Sequence, residues 1–278
     1  MLISQYFVEF IFYSFLGWIW ESIYCSAKEK KWADRGFLFG PICPIYGSCV
    51  VATSILFSCF KVLSSPDFPV WGVFIICYLG RAVAEFGTSW ILEKRFNARW
   101  WDYSDMPLNI QGRICVPVSI AFGLAGVLIV KYLIPTIEGL HEVANPFVYE
   151  VLAIILAMTF GADYALTEAS LSALLKDVEK MHTEFNERAQ QNYEKLASTP
   201  MMISQKISEE KESAELRYER LAKAYAERMS FNQRRLMLAI HSFTSGKNEE
   251  AGHAAIKKKL TTTLKASTRD LRKSSKQK

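Results

Sequence analysis

The chain has 278 residues, 50% of them apolar and 22% charged, with a formal net charge of +5, and an ordinary soluble protein would share those values. Its two halves differ: residues 1–170 hold 11 Lys/Arg against 14 Asp/Glu, residues 171–278 hold 22 against 14, and the positive excess lies entirely in the second half. Six cysteines without paired metal-ligand spacing argue against a zinc module or a disulfide-stapled secreted domain, so no metal or cofactor is expected.

The hydrocarbon core of a bilayer, about 30 Å thick, is crossed by about 20 helical residues. Five apolar stretches of that length run near 3–25, 40–62, 70–92, 114–134 and 147–169. The expected fold is all-α: a polytopic membrane bundle of about five transmembrane helices over 1–170, a cytoplasmic helical hairpin or coiled coil over 171–244, and a disordered basic tail over 245–278. The first stretch reads as a permanent helix, because no Lys or Arg precedes it, its apolar run is too long for a signal peptide and no small-residue cleavage site follows.

Lys and Arg are retained on the cytoplasmic side of short loops. The first loop carries Lys28, Lys30, Lys31 and Arg35, the third Lys94, Arg95, Arg99 and Arg113; the second and fourth offer only Lys61 and Lys131. Five crossings with that bias give a multi-pass protein of the cell membrane, its N-terminus outside and its C-terminus in the cytoplasm.

A charge at mid-bilayer costs about 2.5–3.5 kcal/mol even on a lenient scale. Glu21 closes the first stretch; Arg81 and Glu85 stand four residues apart in the third, on one helix face; Asp163 and Glu168 lie late in the fifth. Glu21, Arg81, Glu85 and Asp163 are the candidate polar intramembrane site, an inner-leaflet pocket with an acidic surplus suited to a cation or proton path unless Arg113 completes the balance. The alternative is that Arg81 and Glu85 only neutralise each other and lock packing.

Two loops carry motifs. Residues 35–47 include Arg35, Gly40, Pro41, Pro44 and Tyr46, and two prolines suit either a tight helix start or a non-helical re-entrant lining. Residues 99–113 include Trp100, Trp101, Asp102, Tyr103, Asn109 and Arg113, suited to an interfacial anchor or to recognition of a headgroup or substrate.

GWIWE at 17–21, RGFLFGPICPIYG at 35–47 and EKRFNARWWDYSDMPLNIQGRIC at 93–115 together resemble the bacterial ABC-transporter type IV family, the CmpB-like ABC transporter permeases. The resemblance covers roughly residues 5–165 and implies a transport component. The sequence has no G-x-x-x-x-G-K-[ST] loop, since Gly246-Lys247 lacks both the first glycine and the final hydroxyl, so any ATPase is expected on another polypeptide. His141-Glu142 is not a zinc-protease motif, because Asn145 takes the place of the second histidine.

Leu171, Leu174, Val178, Met181 and Phe185 repeat at three and four residues, a seam two heptads long that fades before Pro200. A second charged helix is expected over 203–243, either folded back as a hairpin or paired with a second copy. Residues 257–278 hold nine Lys/Arg against Asp270 alone, which suits anionic lipid at the inner leaflet rather than nucleic acid. Three functions stand open: a transport component, a scaffold or regulator acting through the helical tail, and an intramembrane enzyme acting on a lipid-linked substrate. Of these, the non-enzymatic transport component is the leading expectation.

Overall fold

The computed structural model describes residues 2–30, 36–60, 62–63, 65, 67–143, 145–197, 216, 219–243, 257–258 and 260–264, and these are mostly helical. The elements are α1 (Leu2–Glu29), α2 (Pro44–Cys59), α3 (Val70–Phe96), β1 (Ala98–Arg99), β2 (Asn109–Ile110), β3 (Ile114–Cys115), α4 (Val116–Leu128), α5 (Ile134–Val143), α6 (Pro146–Ala197), α7 (219–228), α8 (Phe231–Ala239) and β4 (Ser242–Phe243). A π-helical segment, Ile129–Leu133, joins α4 to α5. Among the described residues, three helical stretches are long and apolar enough to cross a membrane: Val70–Phe96, Val116–Gly139 and Pro146–Met181. α2 is apolar but has 16 residues, and α1 has 28 residues with Glu9 and Glu21 along it.

The helix limits differ from the apolar runs for local reasons. α2 begins at Pro44 rather than near 40, because its first turn tolerates a residue without an N–H whereas a continuous helix through Pro41 and Pro44 would not. Cys43 just before it is extended, and residues 36–43 are not helical. α6 has no breaker at 170 and continues to Ala197. The expected helix over 203–243 is, in its described part, broken at 229–230, where Ser230 caps α8: its hydroxyl accepts from the Gln233 amide while the Gln233 side chain accepts from the Ser230 amide.

The chain forms two compact units, one of Met1–Arg95 with Trp100–Thr167 and one of Phe96–Arg99 with Glu168–Lys278. In the first, α1 and α2 cross at glycines. A Cβ on Gly17 would fall 2.3 Å from the Tyr46 ring, and one on Gly47 would fall 2.2 Å from the Phe10 carbonyl and the Ser14 hydroxyl. Such close approach is how helices associate in lipid, where packing rather than hydrophobic exclusion holds them together. Phe7 and Phe10 meet Phe160 of α6 edge-on, and Ser4 donates to Glu150 at 2.8 Å.

In the second unit the seam residues Leu171, Leu174, Val178 and Met181 are buried, as are Ala222, Ala226, Leu236, Met237 and Ile240. Two hydrogen bonds join α6 to the segments after it: Tyr225 donates to Glu184 and Gln233 to Asp177, both at 3.2 Å. β1 pairs antiparallel with β4, Ala98 opposite Phe243 and Arg99 opposite Ser242. Within the stretch read as a basic tail, residues 257–258 and 260–264 are helical and Leu260 and Leu264 are buried; its other residues, like Arg35, lie outside the described residues.

Gly47→Val should separate α1 from α2, at a cost of about 1–3 kcal/mol from overpacking. The check is thermal unfolding in mild detergent, where the variant should melt earlier while an exposed control, Leu128→Val, should not.

Candidate functional site

Arg81 and Glu85 stand one turn apart on α3, with their side chains 13% and 6% exposed. The guanidinium holds the carboxylate with both terminal nitrogens, Nη1 on Oε2 and Nη2 on Oε1, each at 2.6 Å. Its planar, forked donors suit this two-point pairing, which a lysine would not reproduce. Nη1 also reaches the Ser119 hydroxyl of α4 at 3.3 Å, and the guanidinium lies 4.2 Å from the centroid of the Phe122 ring.

Two tyrosines extend the pair into a network. The Tyr103 hydroxyl, in the loop after β1, donates to Glu85 Oε1 at 3.0 Å. Burial, and then the carboxylate beside it, hold that phenol protonated well above the ordinary phenol range, so it stays a donor. The Tyr46 hydroxyl donates to Glu21. The Tyr46 ring packs 5.8 Å from that of Phe122, whose other neighbour is Arg81. One cluster therefore draws Glu21 from α1, Tyr46 from α2, Arg81 and Glu85 from α3, Tyr103 from the following loop, and Ser119 and Phe122 from α4.

The structure sends two of the expected contributors elsewhere. Arg113 does not balance the cluster: its Nη2 lies 2.6 Å from Glu93 Oε2, its Nη1 donates to Ser89 at 3.1 Å, and it is 7% exposed. The sequence left open that Arg113 completes the balance, but a carboxylate eight residues beyond Glu85 on α3 takes it. Asp163 accepts the backbone amides of Phe39 at 3.0 Å and Gly40 at 2.8 Å, and the Thr167 hydroxyl at 3.4 Å. A Cβ on Gly40 would sit 2.8 Å from that carboxylate, so a side chain there would push Asp163 aside. Non-helical backbone packed among helices needs such internal partners. Cys43 supplies another by donating its amide to the Ser14 carbonyl, midway along α1, at 2.9 Å.

The 99–113 loop spends most of its polar groups on itself. Asp102 accepts from the amide and hydroxyl of Ser104, and Asn109 donates to the carbonyls of Ser104 and Met106 while accepting from the Gly112 amide. Trp101 donates to the Arg113 carbonyl at 3.0 Å, and Trp100 meets Phe37 edge-on. The two indoles are thus fixed by the protein, and the loop is a folded cover that delivers Tyr103. Among the described residues no group of three or more His, Cys, Asp or Glu is placed to hold a metal ion. All six cysteines are free thiols, Cys43 and Cys115 buried.

The residues that build this cluster, its folded cover and the Asp163 contact all fall within one family match, to "Putative ABC-transporter type IV" over residues 8–168. The chain belongs to this family. No curated protein and no solved structure matches it. The ABC-transporter type IV region starts at residue 8 and ends at residue 168, so it takes in the rest of the first unit and stops where the C-terminal residues of the second unit begin. Apolar helices of spanning length within that region fit a protein of the lipid bilayer.

Asp163→Ala should release the 39–40 backbone, with the loss of two charge-assisted bonds costing roughly 2–4 kcal/mol. Hydrogen exchange in detergent should show the amides of Phe39 and Gly40 deprotected, while those in the middle of α3 keep their protection.

Proposed function

We propose that the chain is the membrane-embedded component of a transporter, a permease-like subunit whose ATPase is a separate polypeptide. The observation that carries this is the buried Arg81–Glu85 pair, held on an apolar helix of spanning length and contacted from α4 and from the covering loop. Pairing alone does not account for the cluster, because Glu21 adds a second carboxylate whose partner is the neutral Tyr46 hydroxyl. The cluster thus gathers two carboxyl groups around one guanidinium, which suits a polar solute or a cation.

The packing also supports five crossings. α1 runs against α2, since Gly17 meets Tyr46 while Gly47 meets Phe10 and Ser14. It runs alongside α6, since Ser4 meets Glu150 and Phe10 meets Phe160. Helices crossing in alternation place the first and the fifth in the same direction. The loop charges then put the N-terminus outside and the C-terminal unit in the cytoplasm, its basic tail toward anionic lipid. Five helices enclose a path more readily with a second copy, so a homodimer is part of the proposal.

A second reading is favoured by the C-terminal unit, whose own buried core includes Leu171, Leu174, Leu236 and Met237 outside the family region. It acts as a scaffold or regulator on the cytoplasmic side.

Removing one partner of the ion pair strands a buried charge at about 3–5 kcal/mol and tests folding alone. The decisive variant replaces both, Arg81→Met with Glu85→Leu. It should remain monodisperse in nanodiscs and fail to complement a deletion strain, and full complementation would reduce the pair to packing. Affinity purification from gently solubilised membranes should bring down an ATPase subunit in stoichiometric amount; a cytoplasmic protein held through residues 168–278, with no ATPase, would favour the second reading.

A further inference from the structure

A second group of acidic and phenolic side chains lies toward the other end of α1. Glu9 and Tyr13 stand four residues apart on one face of that helix, and both are buried, at 6% and 2% exposed. Glu9 precedes Glu21 by twelve residues, which sets it about 18 Å from the polar cluster along the helix axis. Glu138, in the second half of α5, is exposed, and its carboxylate acts electrostatically on both Glu9 and the Tyr13 hydroxyl. Tyr149, near the start of α6, lies in the field of Glu9 as well. Three helices of the first unit thus bring two carboxyl groups and two phenols to one end.

The Tyr13 hydroxyl points to what this group can hold. Among the described residues it has no hydrogen-bond partner, although it is buried and both carboxylates bear on it. Such orphaned groups are rare in folded proteins and call for an explanation. A phenol oxygen can accept from a water or face a cation, and the two carboxylates supply the charge to attract one. Every donor here is an oxygen, which suits a hard cation rather than a soft one. Among the described residues no three His, Cys, Asp or Glu gather to strip an ion of its waters, but a cation that keeps several waters needs only one or two carboxylates. The exposure of Glu138 leaves one side open to those waters.

We propose that Glu9, Glu138 and Tyr13 bind a hydrated divalent cation, held from α1 and α5 by the two carboxylates while the Tyr13 hydroxyl takes one of its waters. Bound there, the cation ties the first helix of the family region to α5. The site goes beyond the transport reading and does not depend on it. With the N-terminus outside, it faces the external medium, at the opposite end of α1 from Glu21.

The test is thermal unfolding of the full chain in an uncharged detergent after treatment with chelator, comparing millimolar MgCl2 and CaCl2 with NaCl at the same ionic strength. At least one divalent salt should raise the melting temperature of the wild type by about 2–4 °C over NaCl. Glu138→Gln and Glu9→Gln should each abolish that rise, Tyr13→Phe should shift it to several-fold higher salt, and Glu21→Gln in the polar cluster should leave it in place. Equal effects of NaCl and both divalent salts on the wild type overturn the proposal, as does a divalent rise that survives Glu138→Gln or is lost in Glu21→Gln. If Glu9→Gln fails to assemble, the exposed Glu138→Gln decides by the same outcomes.

Discussion

The arrangement of the membrane half follows from one constraint: a guanidinium and a carboxylate on an apolar helix must find each other, and every remaining donor and acceptor must find something else. Arg81 and Glu85 meet the first demand at one-turn spacing. The second draws in Ser119 from α4, the Phe122 ring and the Tyr103 phenol. Each comes from a different stretch of chain, so satisfying one ion pair fixes the register of α3 against α4 and pins the covering loop. Buried pairs are weak sources of stability but strong sources of specificity where an alternative register would leave a charge unpaired.

The same logic recurs twice nearby. Arg113 and Glu93 neutralise each other where the loop rejoins α4, and Asp163 is neutralised by N–H dipoles instead of a cation. Among the described residues of the family region, the Glu21–Tyr46–Arg81–Glu85–Tyr103 cluster gathers two carboxylates around one guanidinium.

Much of this was legible in the residues, and what was not shares a cause. Arg81 and Glu85 announced themselves as charges four apart inside an apolar run. The start of α2 was readable in Pro41 and Pro44 only as two alternatives; the helix begins at Pro44, after an extended Cys43 whose amide donates to the Ser14 carbonyl. Asp163 was singled out as a charge late in an apolar stretch, but backbone amides leave no trace in a sequence, so its partners at Phe39 and Gly40 could not be named. Tyr46 and Tyr103 were noted as loop aromatics, and their carboxylate partners lie 25 and 18 residues away, beyond any local pattern. The two-residue strand Ala98–Arg99 is too short to carry a period. The break at Ser230 was readable and overlooked: Ser230 followed by Gln233 has the spacing of a capping box.

The π-helical segment Ile129–Leu133 bears on how this membrane half can change in length. Ser119 and Gly126 are seven residues apart, two turns of α-helix, and both face the bundle, at Arg81 and Cys77. Ile134, buried at 7%, comes eight residues after Gly126, one too many for the same face. A π segment takes up one residue more per turn than an α-helix, so everything beyond it keeps the facing it would have had in a shorter chain. A membrane helix can accept a single-codon insertion there without turning its buried stripe toward lipid, and a single-codon deletion at the same place would return a plain α-helix with the stripe intact.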